Sequence, residues 1–249
     1  MEGSYVMNQT EIIAHRGSKG THPENTLEAI EEAVRVGSDG IEIDVHLSLD
    51  KEIIVIHDET VNRTTDGKGR VQDLTLMELK KMNAGSWFSP EYINCRIPTL
   101  KEVFYFLADI DYKGLINIEL KTDCYAYPGI EEKVLAFAAE NNWPFTVEYS
   151  SFNYQTLIRL KEVDSSCKIA LLFKNNGEDV VFLDLDIPVR MWHPKLSWFK
   201  NKSLFKAPEI PVRVWTVNKS EDIQFCLRKK VAGIITDYPQ KALEIRNKG

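Results

Sequence analysis

Apolar residues fall along this chain in short runs separated by stretches of helical spacing. Eight runs read as strands: residues 11–14, 40–47 (continued by 52–56), 115–120, 145–149, 168–173, 188–192, 212–217 and 233–236. Amphipathic stretches between most neighbours give a βα rhythm, which predicts a parallel sheet covered by helices. At 249 residues the α/β class fits one (β/α)8 TIM barrel spanning 1–249, with its site at the C-terminal strand ends.

Asn25 is expected to cap the first helix, with Glu28 closing a capping box ahead of the stripe Leu27, Ile30 and Val34. Later helices are expected after Gly129, Ser151, Ser220 and Pro239, while the connections 175–186 and 196–207 have weak periodicity. The stretch 58–114 is too long for a plain connection. It holds NRTTDGKGR, a helix-like LTLMELKKM and a second helical segment near 99–108, and reads as a small insertion after the second strand, within a single domain.

Two strands break the apolar pattern that a parallel barrel demands. In IEIDVHL, Ile41, Ile43, Val45 and Leu47 alternate with Glu42, Asp44 and His46; in NIELK, Ile118 and Leu120 alternate with Asn117, Glu119 and Lys121. Successive strand residues face opposite ways, so the apolar set packs under the helices and the polar set points into the barrel. A half-exposed antiparallel strand would show the same alternation, but the βα rhythm disfavours it for both segments together. Glu42, Asp44 and Glu119 then converge, repel one another and require a cation. Oxygen donors without a His or Cys cluster suit magnesium or calcium better than zinc.

Charge and cysteine usage narrow the setting. With 31 basic against 37 acidic residues the net charge is −6, which argues against a nucleic-acid or anionic-membrane partner and makes any phosphate site local. The widely spaced Cys95, Cys124, Cys167 and Cys226 form no zinc pair or disulfide framework. With no signal-like segment and no run long enough to span a membrane, the expectation is a soluble cytoplasmic enzyme. A homo-oligomer stays open.

His15 and Arg16 follow the first strand, and His57 follows the continuation of the second. A lone histidine is more often structural than catalytic, but two beside an arginine and three acids change the balance. At these residues the chain resembles the glycerophosphodiester phosphodiesterases. The matching runs are AHRGSKGTHPENTLEA from Ala14, GSDGIEIDVHLSLDKEIIVIHDETVNRTTDGKG from Gly37, IPTLKEV from Ile97, NIELK from Asn117, VWTVN from Val214 and GIITDYP from Gly233. They keep the family order from first strand to last. Where the family has a Thr-Lys-Asp-Gly turn, this chain has Ser48, Leu49, Asp50 and Lys51.

The resemblance implies hydrolysis of glycerophosphodiesters to sn-glycerol 3-phosphate and an alcohol. It implies Glu42, Asp44 and Glu119 as ligands of one divalent cation, His15 and His57 as general acid and base, and Arg16 as the phosphate-binding arginine. Lys121 is expected to face the phosphate by analogy; Trp215, at a strand end, either packs in the core or walls the glycerol carbons as a substrate contact. The first nucleophile is either water or the neighbouring glycerol hydroxyl, and the sequence leaves both routes open. His46 is expected at the edge of the pocket. His22, His193, Trp192, Tyr149 and Asn218 read as turn or packing residues. Two alternatives remain: a lysophospholipase D-like enzyme, if Trp87, Phe88, Tyr92, Phe104 and Tyr105 line an acyl groove rather than close the insertion's own core, and a catalytically silent barrel that binds a phosphorylated ligand.

Overall fold

The computed structural model describes residues 9–174, 189–202 and 210–248. Its elements run β1 (Glu11–His15), α1 (Leu27–Arg35), β2 (Gly40–Leu47), β3 (Ile53–Val55), α2 (Leu76–Leu79), α3 (Leu100–Asp109), β4 (Leu115–Leu120) and α4 (Ile130–Ala139). They continue β5 (Thr146–Ser151), α5 (Tyr154–Val163), β6 (Ile169–Phe173), β7 (Met191–Pro194), α6 (Leu196–Lys202), β8 (Arg213–Val214), α7 (Ser220–Arg228), β9 (Gly233–Thr236) and α8 (Pro239–Lys248).

The parallel strands lie in the order β7-β6-β5-β4-β2-β1-β9-β8. Single parallel bridges, Trp192 with Val212 and Lys195 with Trp215, join β7 to β8 and complete the expected (β/α)8 barrel. Ile41, Ile43, Val45, Leu47, Ile116, Ile118 and Leu120 are buried in the layer between strands and helices. Their alternating neighbours Glu42, Asp44, His46, Asn117, Glu119 and Lys121 are buried too, within the barrel.

Several details depart from the sequence reading. The segment expected to continue the second strand turns back as β3, antiparallel to β2 with Val45 opposite Val55. The reversal is made at Ser48–Lys51, where Lys51 takes φ +65°, a left-handed conformation that glycine adopts at no steric cost. α1 is capped by Thr26, which accepts from the Ala29 N–H, and not by Asn25. The strand expected at 188–192 lies at Met191–Pro194 (β7), so His193 is part of it. The connection 175–186 and residues 203–207 lie outside the described residues, while α6 occupies the start of the other weak connection.

Between β3 and α3 a small second cluster forms from Ile54, Ile56, Val61, Val71, Leu79, Ala84 and Ile97. It is aliphatic, so the five aromatic residues expected to close it do not. Phe104 of α3 packs in the barrel core with Leu100, Val103 and Leu107, whereas Trp87 and Tyr105 are exposed.

Candidate active site

Strand register brings the acids together. His15 lies beside Glu42 across β1 and β2, and Asp44 lies beside Glu119 across β2 and β4. One carboxylate oxygen from each of Glu42, Asp44 and Glu119 falls within 4.8 Å of the others, and all three residues are buried. Burial, followed by the charges of Asp44 and Glu119, pushes the Glu42 carboxyl well above its ordinary value. Burial raises Glu119 as well, although Lys121, whose Nζ donates to Glu119 Oε1 at 2.8 Å, opposes it. Burial acts the same way on Asp44, but Arg16 first, then His57, Lys121 and Asn25, outweigh it and hold this carboxyl low. Glu42 Oε1 and Asp44 Oδ1 are buried without a hydrogen-bond partner. Oxygens left orphaned inside such a cluster fit a hard cation, because an unpaired buried carboxylate oxygen is otherwise costly.

The loop after β1 is tightly folded over this cluster. Arg16 and Asn25 adopt φ +54° and +55°, and the Asn25 N–H donates to the Arg16 carbonyl at 3.0 Å. Gly17, at φ +76°, leaves no room for a side chain: a Cβ there would stand 2.5 Å from the Ala29 carbonyl carbon. Strained residues of this kind persist where the surroundings over-determine them. The Arg16 N–H donates to Glu42 Oε2 at 3.0 Å, and its guanidinium reaches Glu24 Oε1 at 2.7 Å and Asp44 Oδ2 at 3.2 Å. Asn25, expected as the helix cap, instead serves the site. Its Nδ2 donates to Asp44 Oδ2 at 2.8 Å, and its Oδ1 accepts from the Asp44 N–H.

Each histidine has a carboxylate behind it. His15 Nδ1–H donates to Asp237 Oδ1 at 2.6 Å, and His57 Nδ1–H donates to Asp58 Oδ1 at 2.6 Å. Since an ionised carboxylate only accepts, the proton sits on Nδ1 and Nε2 is left for chemistry. His15 Nε2 lies 4.0 Å from Glu42 Oε2, and His57 Nε2 lies 3.5 Å from Lys121 Nζ. Burial, then the charge of Arg16, lowers the His15 pKa to about 4. Asp237 is held in turn by Asn218, which donates through Nδ2 at 2.7 Å and accepts the Asp237 N–H at 2.9 Å. Asn218 is therefore more than loop packing. The signal for Asp237 lay in GIITDYP: a last strand that closes beside the first must bring its end to His15.

His15, Arg16, Glu42, His57, Glu119, Lys121 and Trp215 line one cleft of about 170 Å³. Trp215 meets Phe152 edge-on and donates Nε1–H to the His193 carbonyl, which makes an apolar wall with one polar tether. His46 is not at the edge of the cleft: it is fully buried, paired through Nδ1 with the Tyr127 hydroxyl and through Nε2 with the His57 carbonyl. It braces His57 from behind. His22 contacts Thr21 and Tyr92 away from the cleft, and His193 packs inside the barrel against Arg213.

A barrel that carries an acid cluster, two cationic side chains and two carboxylate-backed histidines at the C-terminal ends of its strands is built like a phosphoester hydrolase. The chain belongs to the glycerophosphoryl diester phosphodiesterase family, whose model matches residues 15–241. It is 40% identical over 243 residues to a glycerophosphodiester phosphodiesterase of Caldanaerobacter subterraneus, covering 97% of this chain and 99% of the relative. A glycerophosphodiester phosphodiesterase of Bacillus altitudinis is 38% identical, with 95% and 98% covered. Among solved structures, an Oleispira antarctica phosphodiesterase in complex with the product sn-glycerol-3-phosphate superposes with a TM-score of 0.83 at 32% identity, over 96% of this chain and 98% of that one. The glycerophosphodiester phosphodiesterase of Thermotoga maritima gives 0.75 at 27% identity, over 95% and 98%. The chain is accordingly a phosphoric diester hydrolase acting on glycerophosphodiesters. Among the described residues no helix is long and apolar enough to cross a membrane.

Proposed function

We propose that this enzyme hydrolyses glycerophosphodiesters to sn-glycerol 3-phosphate and an alcohol, using one divalent cation and a pair of histidines. The observation that carries this reading is the buried carboxylate cluster, with orphaned oxygens on Glu42 and Asp44, set between two histidines whose Nδ1 atoms are tied to Asp237 and Asp58. Glu42, Asp44 and Glu119 would hold the ion, and all-oxygen donors favour Mg2+ or Ca2+. A cation bound there supplies positive charge against the phosphate oxygens.

The chain's own groups do the rest. Arg16 presents a planar fork to the phosphate and Lys121 a point charge. One of His15 and His57 takes the proton of the attacking hydroxyl at Nε2, and the other delivers a proton to the departing alkoxide. Trp215 walls the glycerol carbons. We read 1–249 as a single domain with the insertion 58–114 within it, and a cytoplasmic location accords with four unpaired cysteines. The acyl-chain alternative lacks support, since none of Trp87, Phe88, Tyr92, Phe104 and Tyr105 lines the cleft.

A coupled glycerol 3-phosphate assay on metal-stripped protein tests the reading. Turnover is expected to vanish on stripping and to return with Mg2+ or Ca2+. Full activity in protein shown by metal analysis to be empty would overturn the metal assignment.

A further inference from the structure

We infer that Arg63, carried by the insertion, is a positioning residue for the reaction: by gripping Asp58 and Glu24 at once it holds the His57 ring and the Arg16 guanidinium in one frame. Its Nε and Nη2 donate to Asp58 Oδ2 and Oδ1 at 2.7 and 3.0 Å. Its Nη1 and Nη2 donate to Glu24 Oε2 and Oε1 at 2.9 and 2.7 Å. Asp58 is the carboxylate behind His57, and Glu24 Oε1 also accepts from Arg16 Nη1. One guanidinium therefore links the two groups that must meet the same phosphate from different loops.

The clamp is anchored. The chain around it closes a small hairpin, with Thr60 bridged to Arg70, the Val61 N–H donating to the Gly69 carbonyl and the Val71 N–H to the Glu59 carbonyl. Val61 and Val71 are fully buried in the insertion's own cluster. The Glu24 side chain is only 4% exposed, and burial works against its charge. The bonds from Arg63, followed by the charges of Arg16 and of Lys19 at 3.9 Å, reverse this and bring the carboxyl down to about 2. Asp58 is more open, with a side chain 26% exposed, so without Arg63 it can rotate away from His57 Nδ1. Lysine cannot replace the clamp, because its donors radiate from one point and cannot make two bidentate pairs.

The inference rests on the two-histidine reading, and the test keeps the two apart. Arg63→Gln, Arg63→Lys, Asp58→Asn, the Arg63→Gln/Asp58→Asn double variant and His57→Ala would be assayed on glycerophosphocholine and on a nitrophenyl ester of glycerol phosphate. Circular dichroism and melting would confirm folding. Arg63→Gln is expected to lower kcat on the order of 10- to 100-fold, part of the ~10²–10⁴ that general acid–base catalysis supplies. KM should change less, since Arg16 keeps its own charge. Arg63→Lys should recover little of the loss. Both should share the nitrophenyl-to-choline rate ratio of His57→Ala, and the double variant should be about as slow as the slower single one. Wild-type kcat in Arg63→Gln, full recovery in Arg63→Lys, or losses that multiply in the double variant would each overturn the role of Arg63. If His57→Ala itself keeps the wild-type rate, the two-histidine reading fails and this inference with it.

Discussion

His15 and His57 donate Nδ1–H to a carboxylate at the same 2.6 Å, yet the two pairs are built from different parts of the chain. His15 ends a barrel strand, and its Asp237 lies 222 residues away at the end of β9, which pairs with β1. His57 follows the return strand β3, and its carboxylate is the next residue, steadied by Arg63 from the insertion. Side-chain exposure follows the same division, 13% for His15 and 30% for His57. The first pair is positioned by closure of the barrel. The second is positioned by a turn and a clamp that the barrel does not supply.

The sharpest way to separate the pairs is to remove each ring. His15→Ala and His57→Ala should each cost ~10²–10⁴ in kcat on glycerophosphocholine, the usual range for a general acid or base. Only the variant lacking the acid should recover with a nitrophenyl leaving group, which needs no proton. Equal rescue of both, in folded protein of equal metal content, would remove the division of labour.

A smaller effect is expected from the supports. Asp237→Asn should lower kcat by about 10- to 100-fold, because the amide no longer fixes the proton on Nδ1 of His15, the orientation that carboxylates provide behind metal-site imidazoles. Thermal stability should drop little if Asn218 keeps its bonds to the backbone there. An unchanged kcat would mean that barrel closure alone orients the ring.

The difference in burial also has a consequence for pH. The folded His15 value of about 4 lies below the ordinary 6.5, so as pH falls from 6.5 toward 4 the unfolded chain takes up this proton before the folded one. Its contribution to stability is complete above pH 6.5 and is lost on acidification through that window. A bound cation would press in the same direction. The His15 ring signals in an NMR titration should stay those of a neutral imidazole from pH 8 to 5; a midpoint near 6.5 would show that burial does not control this ring.

The smallest effect belongs to the turn that leads toward His57. Lys51→Gly should raise stability by no more than ~1 kcal/mol, since relief of a left-handed lysine is partly offset by the added freedom of glycine in the unfolded chain. Melting curves would register it, and activity should not change. A loss of stability would mean that the lysine side chain supports the turn in a way its backbone angle conceals.

Much of the site was legible as local pattern. Alternation along 41–47 and 117–121 was enough to turn Glu42, Asp44, Glu119 and Lys121 inward, because strand geometry sends successive side chains to opposite faces whatever the partner strand. The motif runs likewise placed His15, Arg16, His57 and Trp215 at strand ends. The same periodicity carries no sign of direction, so residues 53–55 looked like more of β2 until the structure turned them back. Nor does it specify polar partners. Asn25 had a good local role as a cap, but Thr26 takes it while Asn25 binds Asp44, and the bonds from His15 to Asp237 and from Arg63 to Glu24 join residues 222 and 39 positions apart. Which face a side chain occupies follows from its neighbours in sequence. Which group it meets there depends on how the barrel closes and where the insertion folds, and those are decided only when the whole chain is packed.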